Sequence, residues 1–122
     1  MSGEPPSSDE PVAYKILTAP QMAELLEHGR FAGAPADLSD GYIHLSTAGQ
    51  VRKTLDKHFA GQVGLHIACI DLAVLGGAVK WEVSRGGALF PHVYADLPLD
   101  AVVAHAPVKF DPAGKLLIPG SD

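Results

Sequence analysis

The sequence predicts a single α+β domain, with two helices early in the chain and strands through its second half. The chain has 122 residues, 47% of them hydrophobic and 19% charged, which is the composition of one ordinary globular domain. Helix start and stop signals occur twice before Gly61, whereas short β-prone runs separated by turns follow Gly64. Because helices and strands are segregated along the chain, α+β is favoured over an alternating α/β fold.

The ordered domain is expected to span residues 13–118, with tails at residues 1–12 and 119–122. Residues 1–12 are rich in proline, serine and acid, and we predict disorder because they bury too little apolar surface to offset their ordering entropy. They lack the basic start and apolar stretch of a signal peptide. No run of apolar residues approaches the length needed to span a membrane, so we expect a cytoplasmic protein that does not enter the membrane.

The charge and the cysteine count exclude several classes of function. A net charge of −5 argues against a broad surface for nucleic acid, although local basic residues could still hold one phosphate. Cys69 is the single cysteine, so no intramolecular disulfide forms, and its apolar neighbours predict a buried structural thiol rather than a nucleophile. The six histidines lack recognised ligand spacings, so no metal site is expected.

The first helical unit is predicted from local signals. Residues 13–17 form a strand-like run, after which Thr18 and Gln21 have the spacing of a capping box. The helix that follows should stop at Gly29. Residues 30–40 carry loop chemistry, and the two acids within residues 37–40 fit a turn.

The second unit repeats this order. Residues 41–46 favour a strand, and Thr47 with Gln50 is again spaced as a capping box at the start of a second helix, which Gly61 should end. Four further strands are then predicted between glycine and proline turns, with a short terminal strand after them: residues 64–72, 79–84, 89–95, 101–110 and 115–118.

The best candidate for a functional segment is the strand at residues 41–47. Alternation places Tyr42, His44 and Ser46 on one face, which leaves a row of hydrogen-bonding side chains if Ile43 and its aliphatic partner face the core. Ser46 and Thr47 lie at a predicted helix N-terminus, where free amides favour an anion. Two interpretations stay open: a ligand platform, or a helix cap with a solvated His44.

Two later strands add further candidates. Phe90, His92 and Tyr94 share one face by the same alternation, whereas Trp81 lies with two valines and is open to an interpretation as a core residue. Glu82 in a β-rich run is unfavourable unless it is exposed, paired or used. A surface ion pair with Lys80 or Arg85 is the alternative for that carboxylate.

Five blocks of sequence, in order, carry a resemblance to a known family. They are YKILT at 14–18, GYIHLST at 41–47, VKWE at 79–82, LFPHVY at 89–94 and LPLDAV at 97–102. Together they resemble the bacterial family called domain of unknown function 952, over residues 14–108. The resemblance implies an ADP-ribosyltransferase-like fold, with the two early helices on a split, mainly antiparallel β-sheet.

One block is also similar to the His-x-His-Leu-Ser stretch of RNA 2′-phosphotransferases, which use NAD and share that fold. His44 matches the second histidine of that stretch, and Tyr42 stands in place of the first. Lys15 stands where this family often has a histidine, in the first strand whose His or Arg commonly contacts the NAD ribose in such folds. Lysine can donate to a ribose or phosphate but cannot accept.

The resemblance implies a role for each candidate residue. Glu82 would stabilise positive charge that develops on the ribose, and His92 would position a hydroxyl or act as a base. His44 and Ser46 would bind ribose hydroxyls, and Tyr94 or Phe90 would face the nicotinamide. His44, Glu82 and His92 form the predicted catalytic set, and the predicted ligand-binding set is Lys15, Tyr42, Ser46, Thr47, Trp81, Phe90 and Tyr94.

The function implied is that of an NAD-using ADP-ribosyl transferase or glycohydrolase, with NAD as substrate and an unspecified RNA or protein acceptor. Two other classes stay open. One is a non-catalytic module that binds a nucleotide or another small ligand. The other is a protein–protein interaction domain whose polar faces meet another chain.

Overall fold

The computed structural model describes residues 10–120, so most of the predicted N-terminal tail lies outside the described residues, as do residues 121 and 122. The helices are α1 (Ala19–His28), α2 (Pro35–Asp40), α3 (Val51–His58) and α4 (Leu72–Leu75). The strands are β1 (Val12–Leu17), β2 (Arg30–Phe31), β3 (Ile43–His44), β4 (His66–Asp71), β5 (Val79–Val83), β6 (Leu89–Val93), β7 (Leu97–Pro98) and β8 (Val102–Pro107).

The strands pair in an antiparallel manner, in the orders β1-β4-β8, β2-β7 and β3-β6-β5. A bridge between Tyr14 and Ser46 links the two three-stranded sheets, through backbone hydrogen bonds of 2.7 and 2.9 Å. The prediction of one domain with mixed helices and antiparallel strands is therefore confirmed. Among residues 10–120, no helix is both long and apolar enough to cross a membrane.

The β1-β4-β8 sheet is buried on both faces. Tyr14 and Ile16 pack against Val51 and Leu55 of α3, in a cluster that also contains the buried thiol of Cys69, as predicted for a structural cysteine. On the opposite face, residues of β1 and β4 pack against α1 and the β3-β6-β5 sheet, in the larger cluster of Ala13, Leu17, Met22, Leu25, Phe31, Ile43, Leu45, Ala68, Ile70, Leu72, Val93, Leu97 and Ala101. The larger cluster sets the position of the polar face described below.

Helix α1 forms where local chemistry predicts it. Thr18 accepts a hydrogen bond from the Gln21 N–H, and the Gln21 side chain accepts one from the Thr18 N–H, which completes the capping box. Gly29 ends the helix in the left-handed conformation, at φ 76°, which favours glycine.

The prediction of a loop over residues 30–40 was wrong, because this segment contains β2 and α2. Pro35 occupies the first turn of α2, the Asp37 carboxylate accepts the N–H of Ala34, and Gly41 ends the helix at φ 89°. Residues 37–40 are therefore helical rather than a turn, and this places two carboxylates next to β3. Six residues rich in turn formers gave too short a pattern to indicate a helix.

The second predicted unit is shorter than expected. In the strand proposed for residues 41–46, the ladder holds only Ile43 and His44, and the Tyr42 N–H instead bonds the Asp37 carbonyl in the turn that leaves α2. Helix α3 begins at Val51 rather than beside Thr47. Thr47 contributes backbone groups to the turn that precedes α3, since its N–H donates to the Gln50 side chain at 3.0 Å.

Four of the later predicted strands are present as β4, β5, β6 and β8, each within the predicted range. At residues 115–118 the structure has an isolated bridge between Phe110 and Leu116 in place of a strand.

Candidate functional site

A buried ion pair underlies the candidate site. Strand alternation turns Lys15 towards the larger core, between Ala13 and Leu17, where an unpaired ammonium would be costly. The Lys15 side chain is 8% exposed, and its ammonium lies 2.9 Å from Oδ2 of Asp37, whose side chain is 2% exposed. Lys15 also donates to the carbonyl of His44 at 3.1 Å.

The Asp37 carboxylate connects three elements. Its Oδ2 accepts the Ala34 N–H at 2.8 Å, and its Oδ1 accepts the His44 N–H at 3.1 Å. Oδ1 also lies 2.6 Å from Nδ1 of the His44 ring. Burial acts to raise the pKa of Asp37, but the hydrogen bond from His44 and the charge of Lys15 outweigh it and hold this pKa well below its usual range. The carboxylate is therefore ionised at neutral pH.

Both ring nitrogens of His44 face carboxylates. Nδ1 contacts buried Asp37, and Nε2 lies 2.9 Å from Oδ2 of Asp40, whose side chain is 50% exposed. Because an ionised carboxylate only accepts hydrogen bonds, the contact with buried Asp37 places an N–H group on Nδ1 of His44. Both ring nitrogens are thus occupied by carboxylate contacts.

A second histidine is paired with a carboxylate on the neighbouring strands. Pairing of β5 with β6 and of β6 with β3 puts Glu82, His92 and His44 on one face of the sheet. Nδ1 of His92 lies 2.7 Å from Oε1 of Glu82, and the Tyr94 hydroxyl donates to the same oxygen at 2.8 Å. The hydrogen bonds from His92 and then Tyr94 lower the pKa of Glu82, and the bond to Glu82 raises the pKa of Tyr94 to about 12.

The contact with Glu82 orients the His92 ring. Because a carboxylate accepts, Nδ1 of His92 carries the proton in the neutral ring and leaves a lone pair on Nε2. Among residues 10–120, Nε2 has no hydrogen-bond partner. Glu82 is more open, with a side chain 38% exposed.

Tyr42 completes the cluster by covering His92. Its ring stacks on the His92 ring with centroids 4.1 Å apart, and it lies 4.7 Å from the ring of His44 and 5.2 Å from that of Tyr94. Partly because of this cover, the His92 side chain is only 3% exposed. We call the set Asp37, Asp40, Tyr42, His44, Glu82, His92 and Tyr94 the polar cluster.

A cleft of about 260 Å³ borders the polar cluster. Tyr42, Tyr94 and Asp37 line it together with apolar groups that include Leu38 and Val93. The two histidines do not line this cleft, whereas Tyr42, whose ring stacks on His92, does. A ligand in the cleft would therefore meet the tyrosines first.

The structure brings together five of the ten residues predicted for the site: Tyr42, His44, Glu82, His92 and Tyr94. Lys15 lies beneath them, with its ammonium bonded to Asp37 and to the His44 carbonyl rather than directed outwards. It reaches the cluster only through these partners.

The other four predicted residues lie elsewhere. Ser46 is buried and contacts the Thr54 hydroxyl of α3 at 2.9 Å, and Thr47 belongs to the turn before that helix. Phe90 faces the same side as Glu82 but is buried. Trp81 points to the opposite face and lines a separate groove of about 450 Å³ with Leu72 and Val79, which supports its interpretation as a largely structural residue.

Asp37 and Asp40 were missed as site residues, because their segment was interpreted as a turn. The spacing of Asp40 and His44 offered no signal, since one residue lies at the end of a helix and the other in a strand. A signal for Asp37 did exist in Lys15, because a lysine on the core face of a strand predicts a buried acidic partner.

Comparison with known proteins places the chain in a family. The sequence profile described as "Protein of unknown function (DUF952)" matches residues 16–105, whereas no curated protein matches significantly. The crystal structure of protein CC0527 from Caulobacter crescentus is similar to the chain with a TM-score of 0.79 at 40% sequence identity, over 87% of this chain and 93% of that one. The solution NMR structure of CC0527 gives a TM-score of 0.74 at 40% identity, over 86% and 90% of the two chains.

These matches confirm the family resemblance carried by the five sequence blocks, and they supply a relationship rather than a reaction. Since the profile spans most of the chain and the Caulobacter protein is similar over nearly its whole length, the chain belongs to the family of proteins of unknown function called DUF952.

Proposed function

We propose that this protein cleaves the bond between nicotinamide and ribose in NAD and transfers the ADP-ribosyl group to an acceptor or to water. The observation that carries the proposal is the Glu82 carboxylate, which accepts hydrogen bonds from His92 and Tyr94 and lies on one sheet face with His44. The proposal includes an ADP-ribosyltransferase-like fold, which the resemblance of the five sequence blocks supports. Because a fold alone does not establish a function, the proposal depends on the residues of the site.

The charge state of Glu82 suits this bond cleavage. As the bond breaks, its electron pair leaves with nicotinamide, which departs neutral and needs no proton from an acid. The ribose carbon gains positive charge, which an ionised carboxylate stabilises. Because hydrogen bonds lower the pKa of Glu82, this residue is matched to electrostatic stabilisation rather than to proton donation.

His92 has the geometry of a base in the second half of the reaction. An acceptor hydroxyl or water forms a bond to the ribose carbon, and its proton passes to Nε2 of His92. The hydrogen bond from Nδ1 to Glu82 at 2.7 Å fixes the tautomer in which Nε2 can accept. Because the Tyr42 ring stacks on the His92 ring, either Tyr42 must move aside or the acceptor must approach His92 at the edge of the imidazole.

His44 and Asp40 fit a binding role better than an acid/base role. Both nitrogens of the His44 ring are engaged by carboxylates, and half-exposed Asp40 can accept hydrogen bonds from ribose hydroxyls. Tyr94 and Tyr42 offer aromatic surface to a nicotinamide ring in the adjoining cleft. Lys15 is left out of ligand contact, since its charge is matched by Asp37.

A non-catalytic module that binds a nucleotide is the second candidate, and one observation favours it. Tyr42 covers His92, so little of the ring of the proposed base reaches solvent and the exposed surface is aromatic and acidic. Such a surface can stack on a nucleobase without performing chemistry. The experiment below separates the two functions.

Nicotinamide release is measured with labelled NAD, alone and with RNA or with cell lysate as a source of acceptors. The Glu82→Gln variant keeps the side-chain shape and removes the charge, so we expect release to fall by about a hundredfold or more. Binding should persist, and NAD at about ten times its Kd should stabilise both proteins by roughly 1.4 kcal/mol. Glu27→Gln, on the exposed side of α1, is the matched control and should release nicotinamide at the wild-type rate.

The outcomes divide the candidates. Release by the wild type that Glu82→Gln leaves unchanged would contradict the role of this carboxylate. Stabilisation by NAD without release under any condition, and its loss in His44→Ala, would establish the binding module instead. Absence of both release and stabilisation at millimolar NAD would exclude NAD as the ligand of either function.

A further inference from the structure

We propose that Lys15 and Asp37 are positioning residues, which hold the ring and the backbone of His44 in one orientation within the polar cluster. The consequence for catalysis rests on the proposed function, whereas the positioning itself does not. The family resemblance put Lys15 in contact with a ligand; the contacts of its ammonium assign it a different role.

The first step is the placement of the lysine. Lys15 lies on the face of β1 that also carries Ala13 and Leu17, both fully buried, so its chain runs through the core and only its tip meets polar atoms. Those atoms are the two oxygens of Asp37, at 2.9 and 3.2 Å, and the carbonyl of His44 at 3.1 Å. The ammonium thus binds both the carboxylate that contacts the His44 ring and the backbone carbonyl of His44 itself.

The second step is the saturation of Asp37. Its two oxygens accept from Lys15, from the Ala34 N–H, from the His44 N–H and from Nδ1 of His44. These donors come from β1, the start of α2 and β3, so the carboxylate ties the first sheet to the strand that carries the site. Charge-assisted bonds of this kind are short and strong, and 2.6 Å is the shortest contact that His44 makes.

The third step is the contrast with Asp40. Its carboxylate is 50% exposed and holds the other ring nitrogen at 2.9 Å, so water competes for both partners. Asp40 is therefore replaceable by solvent, whereas Asp37 is not. The buried pair of Lys15 and Asp37 therefore sets the orientation of the His44 ring, and Asp40 binds the ring nitrogen that this orientation presents to it.

The imidazole protons of His44 provide the test, by proton and nitrogen NMR. In the wild type we expect a deshielded Nδ1–H resonance that exchanges slowly with water, because its acceptor is a buried carboxylate. His44→Gln should delete that resonance and so assign it. The measurement is made on the wild-type protein, in which Lys15 and Asp37 are both intact. The lack of a slowly exchanging Nδ1–H resonance there would overturn the proposal.

Three variants then distinguish the buried pair from the surface acid. Asp37→Asn replaces the charged acceptor with a neutral one, and the Nδ1–H should shift upfield and exchange on the order of tenfold faster. Asp40→Asn and the matched control Asp56→Asn, whose exposed ion pair with Arg52 lies on α3, should leave the resonance in place. Loss of the resonance in Asp40→Asn, or its persistence unchanged in Asp37→Asn, would overturn the proposal.

An activity measurement adds the catalytic consequence. If the wild type releases nicotinamide, Asp37→Asn should raise KM and lower kcat/KM by up to about a hundredfold, because His44 has a binding role and a misplaced binding group holds both the substrate and the transition state less well. An unchanged kcat/KM alongside a displaced Nδ1–H would refute that consequence. If the wild type releases none, the proposed function fails, and the imidazole resonance still decides whether the pair positions His44.

Discussion

The Lys15→Met substitution gives the most direct measure of the buried ion pair. Methionine has similar length and is apolar, so the packing between Ala13 and Leu17 is retained while the charge is removed. The Asp37 carboxylate, 2% exposed, then loses its counter-charge and the 2.9 Å contact. It keeps three donors, which are the backbone N–H groups of Ala34 and His44 and Nδ1 of the His44 ring.

The magnitude follows from burial. Removal of one partner from a buried pair costs about 3–5 kcal/mol, because an uncompensated charge is left behind. The three donors that Asp37 retains place the expected loss near the lower bound, at about 3 kcal/mol. Since the free energy of unfolding of a small domain is about 5–15 kcal/mol, this loss is a large share of the total stability. Asp56→Asn, which breaks the exposed pair with Arg52, should cost less than about 1 kcal/mol.

Urea unfolding followed by the fluorescence of Trp81, the single tryptophan, measures both variants at pH 7. The m-value should not change, since the surface exposed on unfolding is the same. A loss below about 1 kcal/mol in Lys15→Met, equal to that of an exposed pair, would refute the interpretation of this pair as buried and coupled.

The pH dependence has a defined sign. The pKa of Asp37 is lowered in the folded protein, so this carboxyl contributes stability above its unfolded value of about 3.9 and loses that contribution as pH falls further. The charge of Lys15 is one cause of the lowering, so the difference between the wild type and Lys15→Met should be largest above about pH 4 and shrink in more acidic solution. A difference that stays constant down to strong acid would contradict this linkage.

Three further predictions concern other parts of the chain. Thr18→Ala removes one half of the capping box and should lower the free energy of unfolding by about 1 kcal/mol in urea. Tyr42→Ala uncovers His92, so modification of this histidine by diethyl pyrocarbonate should become faster, and an unchanged rate would show that stacking does not limit access. In Glu82→Gln the pKa of Tyr94 should fall from about 12 towards its ordinary value, because its hydrogen bond to a carboxylate is lost, as ultraviolet titration of tyrosinate can measure.

The elements that the sequence predicted well are those whose signals are local. The capping box at Thr18 and the glycine stop at Gly29 lie within α1 and its ends, so their chemistry is independent of the rest of the fold. The strands after residue 64 were found because alternation and turn residues act within each strand. Alternation on β3 and β6 likewise put His44 and His92 on faces that strand pairing then joined.

The errors have one physical origin: tertiary contacts, rather than local sequence, determine whether a short helix or strand forms and where it ends. Helix α2 has six residues, too few for a periodic pattern, and it is held by Asp37, which caps Ala34 and is itself held by Lys15 from another strand. Ser46 was placed with His44 by alternation, but the ladder ends at His44 and Ser46 pairs with Tyr14 instead. A strand of two residues cannot carry alternation beyond itself.

Lys15 contains the information that would have changed the prediction. It lies in an otherwise apolar strand, in register with Ala13 and Leu17 and opposite Ala68 of β4, which places its ammonium inside the domain. A lysine there requires a buried acid, and that acid must come from a segment able to approach the core face of β1. Asp37 meets this requirement only if its segment is ordered and close-packed, which a turn in solvent is not. The demand for a partner therefore predicts order in residues 35–40, and with it the carboxylate that orients His44.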